Sequence, residues 1–127
     1  MKIDKMLMAG ALVLVCVCTV GWPVLANDSQ VPVRDTVTMV DLGATSCVPC
    51  KLMEPVLASL KKQYQGRAAV VFIDVTRDHG AAREFGIRVI PTQIFFDATG
   101  KEVWRHVGFL DEKSCREQLN RLLSRKE

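Results

Sequence analysis

Two cysteines separated by two residues carry the most reactive chemistry that the sequence offers. Cys47 and Cys50 enclose Val48 and Pro49, and two thiols at this spacing can close a disulfide within a short ring. In thiol-disulfide exchange, a thiolate attacks a disulfide sulfur, and a second thiol resolves the mixed disulfide that results. We therefore interpret Cys47 as the attacking thiol and Cys50 as the resolving thiol.

The sequence places this pair at the junction of a strand and a helix. Residues 36–42 are rich in β-branched side chains and predict a strand, and from Val48 onward apolar residues recur at the spacing of one helix face. Cys47 would then lie at the helix N-terminus, where unpaired backbone N–H groups stabilise a thiolate. Pro49 suits the first helical turn, whereas Pro55 is predicted to kink the helix.

The cysteine spacing is also compatible with a zinc site or with a purely structural disulfide. A zinc site would need two further ligands, and the candidates His79, His106 and Cys115 are not paired at ligand spacing. A structural disulfide that closes so short a loop would add little stability. Cys115 lies on the apolar face of a predicted helix, where we expect a small buried side chain.

The rest of the chain predicts three more strands and two more helices. Residues 69–75 form a continuous apolar run, typical of a parallel strand that is buried on both faces. A short helix over 78–85 follows, and residues 92–96 and 101–108 predict an antiparallel hairpin. Asp111 is predicted to cap a final helix. The order β-α-β-α-β-β-α predicts an α/β fold with a mixed four-stranded sheet flanked by helices.

An apolar N-terminal segment predicts export. Residues 6–26 carry no charged side chain and follow Lys2 and Lys5, a pattern typical of a secretory signal peptide. Small residues at Val24 and Ala26 occupy the positions that a signal peptidase inspects. The alternative is an uncleaved membrane anchor, because about 20 apolar residues can span a bilayer.

The N-terminal segment divides the chain into three parts. We predict a signal peptide or anchor over residues 1–26, a polar lead over 27–35 and one folded domain over 36–127. Cleaved or anchored, the domain would lie in the periplasm, outside the cytoplasmic membrane, where disulfides persist.

The charge balance argues against a nucleic-acid partner. The chain has 17 Lys and Arg residues and 14 Asp and Glu residues. Its basic residues are scattered, with only short groups at Lys61-Lys62 and Arg125-Lys126, whereas nucleic-acid binding needs a concentrated basic patch. We expect a monomer that binds other proteins.

Three separated motifs resemble the thioredoxin family over about residues 36–124. In chain order they are Met39-Val40-Asp41-Leu42 running into Cys47-Val48-Pro49-Cys50-Lys51, then Gly86-Ile87-Arg88-Val89-Ile90-Pro91-Thr92, and then Val107-Gly108. Within the family, the sequence resembles periplasmic thioredoxin-like proteins and the C-terminal domain of membrane thiol-reductant conductors, which carry a Gly-Phe pair like Gly108-Phe109. The resemblance implies a thioredoxin fold and a thiol-disulfide oxidoreductase whose only redox group is the Cys47–Cys50 disulfide, with no cofactor.

The resemblance also implies a substrate-binding surface beside the cysteines. It places a cis peptide bond between Ile90 and Pro91, facing the cysteine pair, with the backbone of Ile90 binding a substrate chain as a short added strand. Only proline makes the cis isomer accessible at low energetic cost. Thr92, Val48 and Pro49 complete the substrate-binding set that the family pattern implies.

Asp41 matches the buried carboxylate that thioredoxins keep beneath the disulfide. The match implies that Asp41 accepts a proton from Cys50 during resolution, because burial raises the pKa of a carboxylate toward neutrality. The chain departs from the family where a lysine usually partners this carboxylate, since Phe72 stands there. It also lacks the usual tryptophans before the first cysteine, with Gly43 and Ser46 in their places.

The residue before the second cysteine indicates the direction of electron flow. Strong oxidants and isomerases of the family usually carry histidine there, whereas this chain has Pro49, as reducing thioredoxins do. The resemblance therefore implies a reductase that takes electrons from a membrane thiol-reductant conductor and passes them to oxidised exported proteins. The rival functions are a disulfide oxidase or isomerase, and a metal-binding module that uses the same cysteines.

Overall fold

The computed structural model of the protein describes residues 30–125, so the predicted signal peptide lies outside the described residues. The elements in chain order are β1 Val37–Gly43, α1 Val48–Lys51, α2 Met53–Gln63, β2 Ala68–Asp74, α3 Ala81–Glu84, β3 Thr92–Phe96, β4 Glu102–Val107 and α4 Glu112–Ser124. Among residues 30–125, no helix is long and apolar enough to cross a membrane.

The strands form one mixed sheet in the order β2-β1-β3-β4. Helices α1 and α2 connect β1 to β2, and a crossover of this kind makes the two strands parallel. A short turn closed by the Gly100 N–H bond to the Asp97 carbonyl joins β3 to β4, which makes that pair antiparallel. The predicted four-stranded thioredoxin fold is confirmed.

Strand β2 differs from its prediction. The apolar run predicted a strand buried on both faces, but β2 lies at the sheet edge and pairs only with β1. Of its residues only Val70 is buried, and the others are half-exposed. The strand is parallel to β1, as predicted, but the prediction of burial on both faces was wrong because the apolar run of an edge strand looks the same in sequence as that of a central strand. The central strand is β1, which is buried along its whole length.

The first long helix is interrupted, as the prediction of a kink required. Helix α1 ends at Lys51 and α2 begins at Met53, with Leu52 as a turn between them. Pro55 has no N–H to donate to the Lys51 carbonyl one turn earlier, and its ring crowds that carbonyl. The interruption separates the short helix that carries the cysteine pair from the longer helix that packs on the sheet.

Alternate residues of β1 point to opposite faces of the sheet and enter two separate apolar clusters. Met39 joins the larger cluster, beneath α2 and α4, whereas Val40 and Leu42 join a smaller cluster on the side of α3. Asp41 therefore points to the same face as Met39. That face carries α1, so the carboxylate lies on the side of the sheet where the cysteines are.

Candidate active site

The cysteine pair lies where β1 gives way to α1, and the two cysteines differ in accessibility. Cys47 and Cys50 are joined by a disulfide, with their Cα atoms 5.2 Å apart. Cys50 is only 3% exposed, whereas Cys47 is half-exposed. Only Cys47 is open to a large disulfide substrate, which agrees with its interpretation as the attacking thiol.

The backbone of α1 stabilises negative charge on Cys47. Cys47 is the N-cap residue of the helix, and its Sγ accepts a hydrogen bond from the Cys50 N–H at 3.3 Å. Pro49 occupies the first turn, where the absence of an N–H leaves no buried donor unpaired. When the disulfide is reduced, the same N–H favours the thiolate of Cys47 over the thiol.

The loop before β3 supplies the other side of the site. The Ile90–Pro91 peptide bond is cis, and Thr92 pairs with Leu42 near the end of β1, so this loop lies at the end of the sheet where the cysteines are. The Pro91 carbonyl accepts a hydrogen bond from the Gly108 N–H at 2.8 Å.

The predicted substrate-binding residues divide into a surface set and a supporting set. Val48 and Pro49 are exposed and Ile90 is half-exposed, whereas Pro91 and Thr92 are buried. The Thr92 hydroxyl donates to a backbone carbonyl within the loop, at 2.6 Å. The side chains of Pro91 and Thr92 thus hold the loop in shape beneath the surface that the other three present.

Five exposed apolar side chains lie on the segments that meet at this end of the sheet, and we call them the apolar rim. They are Val48, Leu52, Val89, Val107 and Phe109. Val48 is 73% exposed, although the helical spacing of the sequence placed it on one face with core residues. Apolar groups exposed together around a reactive sulfur favour binding of apolar segments of another protein.

Asp41 lies beneath the buried cysteine and is itself inaccessible to solvent, at 0% exposed. A Cβ atom at Gly43 would lie 3.2 Å from the Cys50 Sγ, and Asp41 precedes Gly43 on the same face of β1 by about 6.6 Å. Phe72 stands opposite Asp41 in the β1–β2 register, in the place of the family's lysine. Gln93 donates to the Asp41 Oδ1 from its Nε2 at 2.7 Å.

Burial raises the pKa of Asp41 from 3.8 to about 6, and the hydrogen bond from Gln93 limits the rise. A carboxylate with a pKa near neutrality can accept a proton and give it up again at the pH of most cells. The arrangement therefore fits a proton acceptor for Cys50. The family resemblance implied that Asp41 is buried, as it is in the structure, but it gave no indication of Gln93, whose only signal was a polar amide within an otherwise apolar strand.

The raised pKa of Asp41 predicts that Asp41→Asn stabilises the fold in a pH-dependent way. Because the folded-state pKa of about 6 exceeds the reference value of 3.8, the ionised carboxylate opposes folding. The variant should match the wild type below about pH 4 and gain stability as pH rises through 6, reaching about 3 kcal/mol at pH 8. Urea unfolding of the oxidised proteins at several pH values measures this difference.

Asp111→Asn is the matched control for that measurement. Asp111 is an exposed N-cap residue, and hydrogen bonds from Ser114 hold its pKa below the usual value. Its contribution to stability is present above the unfolded-state pKa and is lost as pH falls through the folded-state pKa. Asp111→Asn should therefore destabilise the protein at neutral pH. Destabilisation by Asp41→Asn at pH 8 would contradict the assignment of Asp41 as a buried carboxylate whose ionised form opposes folding.

The described part of the chain does not bring together a set of ligands for zinc. Across residues 30–125, no three His, Cys, Asp or Glu side chains come together in a group that could hold a metal ion. Cys115 is fully buried, as predicted, and burial raises the pKa of its thiol to about 12. It stays protonated at neutral pH, and its burial keeps the sulfur away from a disulfide of another protein.

A four-stranded sheet of this topology with a disulfide at the start of its first helix defines a class of redox protein. The profile of the thioredoxin family matches residues 25–121. The chain belongs to the thioredoxin family, and it is a thiol-disulfide oxidoreductase with Cys47 and Cys50 as its redox pair.

Individual thioredoxins resemble the chain at about one third identity. A chloroplastic M-type thioredoxin of Spinacia oleracea is 34% identical over 104 residues, covering 82% of this chain but 54% of the spinach protein. Thioredoxin of Staphylococcus aureus is 35% identical over 96 residues, covering 76% of this chain and 91% of that protein. A crystal structure of chloroplastic thioredoxin z superposes with a TM-score of 0.64 at 31% identity, over 72% of this chain and 81% of that one.

Proposed function

We propose that this protein is an exported reductant that transfers two electrons from the Cys47/Cys50 dithiol to disulfides of other exported proteins. The observation that carries the proposal is the asymmetry of the pair. Cys47 is accessible and accepts a backbone hydrogen bond, whereas Cys50 is buried above a carboxylate whose pKa lies near neutrality. An attacking group and a resolving group need these two different environments.

The reaction begins at Cys47 and ends at Cys50. The Cys47 thiolate attacks one sulfur of the substrate disulfide, which forms a mixed disulfide and releases the first substrate thiol. Cys50 then gives its proton to Asp41, and the Cys50 thiolate attacks the Cys47 Sγ and displaces the second substrate thiol. The two electrons lost by the cysteine pair reduce the substrate disulfide. The first substrate thiolate takes a proton from solvent, which received the Cys47 proton when that thiol ionised, and the second takes the Cys50 proton by way of Asp41.

The apolar rim and Pro49 support a reductant that acts on proteins. The rim presents exposed apolar side chains at the end of the sheet where Cys47 lies, and such a surface binds extended apolar segments more readily than small charged thiols. Pro49 adds no charge beside the buried sulfur, whereas the histidine of strong oxidants stabilises the reduced thiolate form. A pair without that stabilisation is the stronger reductant.

Export and electron supply belong to the same proposal. Residues 1–26 have the pattern of a signal peptide, so we place the domain in the periplasm, as a monomer and without a cofactor. Disulfides accumulate in that compartment, and a reductant working there needs a steady source of electrons. The corresponding partners are a membrane thiol-reductant conductor as donor and oxidised exported proteins as acceptors.

Fractionation of bacteria expressing the full chain, with acid quenching and alkylation of free thiols, tests the proposal. We expect a periplasmic protein that begins at Asn27 and carries Cys47 and Cys50 mostly as alkylated thiols. Leu14→Arg, which interrupts the apolar segment, should keep the chain in the cytoplasm.

The remaining outcomes of this experiment separate the alternatives. A full-length chain in the membrane fraction would identify an uncleaved anchor. A periplasmic protein found mostly as the disulfide would contradict the reductant and favour an oxidase or isomerase. Stoichiometric zinc or copper in the protein purified under reducing conditions would favour the metal-binding module.

A further inference from the structure

Gln93 is the polar side chain that contacts Asp41, and it is as deeply buried as the carboxylate. Both residues are 0% exposed, and they stand directly opposite each other in the β1–β3 register. The Gln93 Nε2 donates to the Asp41 Oδ1 at 2.7 Å. A buried amide in the middle of an apolar strand costs free energy unless its polar atoms are paired.

One oxygen of Asp41 and one of Gln93 have no hydrogen-bond partner within residues 30–125. Across the described residues, the buried side-chain oxygens without a hydrogen-bond partner are the Asp41 Oδ2 and the Gln93 Oε1. Both atoms are acceptors while Asp41 is ionised, so neither can satisfy the other. Protonation of Oδ2 changes this, because the carboxylic acid then has a donor and the amide beside it has a free acceptor.

We propose that Gln93 is a positioning residue for the resolving step, which holds Asp41 in both of its protonation states. Its Nε2–H donates to the carboxylate before proton transfer. After the Cys50 proton has moved to Oδ2, the new O–H donates to the Gln93 Oε1, and acid and amide are joined by two hydrogen bonds. The proposal rests on the proposed role of Asp41 as proton acceptor.

None of the other described groups around Asp41 is placed to hydrogen-bond to it in both protonation states. Cys50 faces it from α1 and is the proton donor of the step, and Cys115 faces it from α4 as a neutral thiol whose pKa the Asp41 charge helps to raise. Phe72 lies opposite it on β2. His106 of β4 stands opposite Gln93 of β3. Its Nε2, however, lies 3.1 Å from the backbone carbonyl oxygen of Phe109.

Helix α2 contributes the apolar core side chains Met53, Leu57 and Leu60. Its charged residues Glu54 and Lys61 line the cavity that also touches Cys50 and Phe72, but the pKa of Asp41 is set by burial and by Gln93. In a lysine-partnered thioredoxin site a cation would stabilise the carboxylate, but a cation cannot accept a hydrogen bond from the acid. The amide can serve both forms, which is what a group that gains and loses a proton in each turnover requires.

Gln93→Met tests the proposal, because methionine keeps the length of the side chain and removes its amide. The two steps are followed separately by stopped-flow, as formation of the mixed disulfide with a fluorescent disulfide peptide and as release of the second peptide thiol. We expect formation to be unchanged and release at pH 7 to slow about tenfold, the effect of losing a hydrogen bond to a charged group. The pH midpoint of the release step should move upward.

A double variant distinguishes positioning from a general structural role. In an Asp41→Asn background, adding Gln93→Met should leave the pH profile of release unchanged, because the titrating group is already gone. An unchanged release rate and midpoint in Gln93→Met would overturn the proposal, as would an equal slowing of both steps. Failure of the wild type to reduce the peptide disulfide at all would instead contradict the proposed function itself.

If Gln93→Met does not fold, Gln93→Glu tests the same proposal. A second carboxyl in contact with Asp41 shares a proton with it, which raises the pKa of the pair. The midpoint of the release step should then move upward by more than in any variant outside this contact, with mixed-disulfide formation again unchanged. A midpoint equal to that of the wild type would overturn the proposal.

Discussion

Cys47→Ser is expected to abolish reduction of protein disulfides. A serine hydroxyl at neutral pH is a poor nucleophile toward sulfur, and the backbone N–H that stabilises a Cys47 thiolate cannot make an alkoxide available. Turnover should fall on the order of a thousandfold or more, as expected when the attacking group of an enzyme is removed. Reduction of an oxidised model protein, driven by dithiothreitol, measures the loss.

Cys115→Ala is the matched control for Cys47→Ser. Cys115 lies on the buried face of α4, and its thiol stays protonated at neutral pH. The alanine variant should keep wild-type turnover and lose only stability, because a small cavity replaces the sulfur. Residual turnover in Cys47→Ser, or its loss in Cys115→Ala, would contradict the assignment of Cys47 as the attacking thiol.

Cys50→Ser is expected to stop the reaction halfway. Cys47 can still attack the substrate disulfide, but no second thiol lies behind it to displace the substrate. The variant should accumulate a covalent complex with one substrate molecule per chain, visible by mass spectrometry and released by excess thiol. Multiple turnover should fall about as far as in Cys47→Ser.

The reverse single-cysteine variant makes this prediction specific. In Cys47→Ser the remaining active-site thiol is Cys50, which is 3% exposed, so it should capture little or no substrate. Equal trapping by Cys47→Ser and Cys50→Ser would mean that either sulfur can attack. Such a result would remove the asymmetry on which the mechanism depends.

The fold was predictable because its signals are local. The β-branched runs, the hairpin of residues 92–96 and 101–108 and the N-cap at Asp111 each depend on nearby residues, and the structure has the corresponding elements within a few positions. The helix break near Pro55 was predictable for the same reason. The shared chemistry of Cys47 and Cys50 also follows from residues that are neighbours in sequence.

What the sequence did not predict depends on contacts between distant segments. The pairing of Asp41 with Gln93 requires the β1–β3 register, which is fixed only when the chain between them has folded. The exposure of Leu52 was missed, and that of Val48 was implied only by the family resemblance, because helical periodicity marks an apolar face without saying what covers it. The two residues lie at the start of the helix, on the end of the sheet where the apolar rim is, so they remain in contact with solvent.

Reduction potential is the most direct test of the central claim that Cys47 and Cys50 form a reducing couple. The domain is equilibrated with glutathione buffers and then with dithiothreitol buffers, and the fraction of disulfide is measured by alkylation and mass. We predict a value at or below about −230 mV, in the range of reducing thioredoxins. A value above about −180 mV would contradict the claim, because the pair would then oxidise the thiols that it is proposed to regenerate.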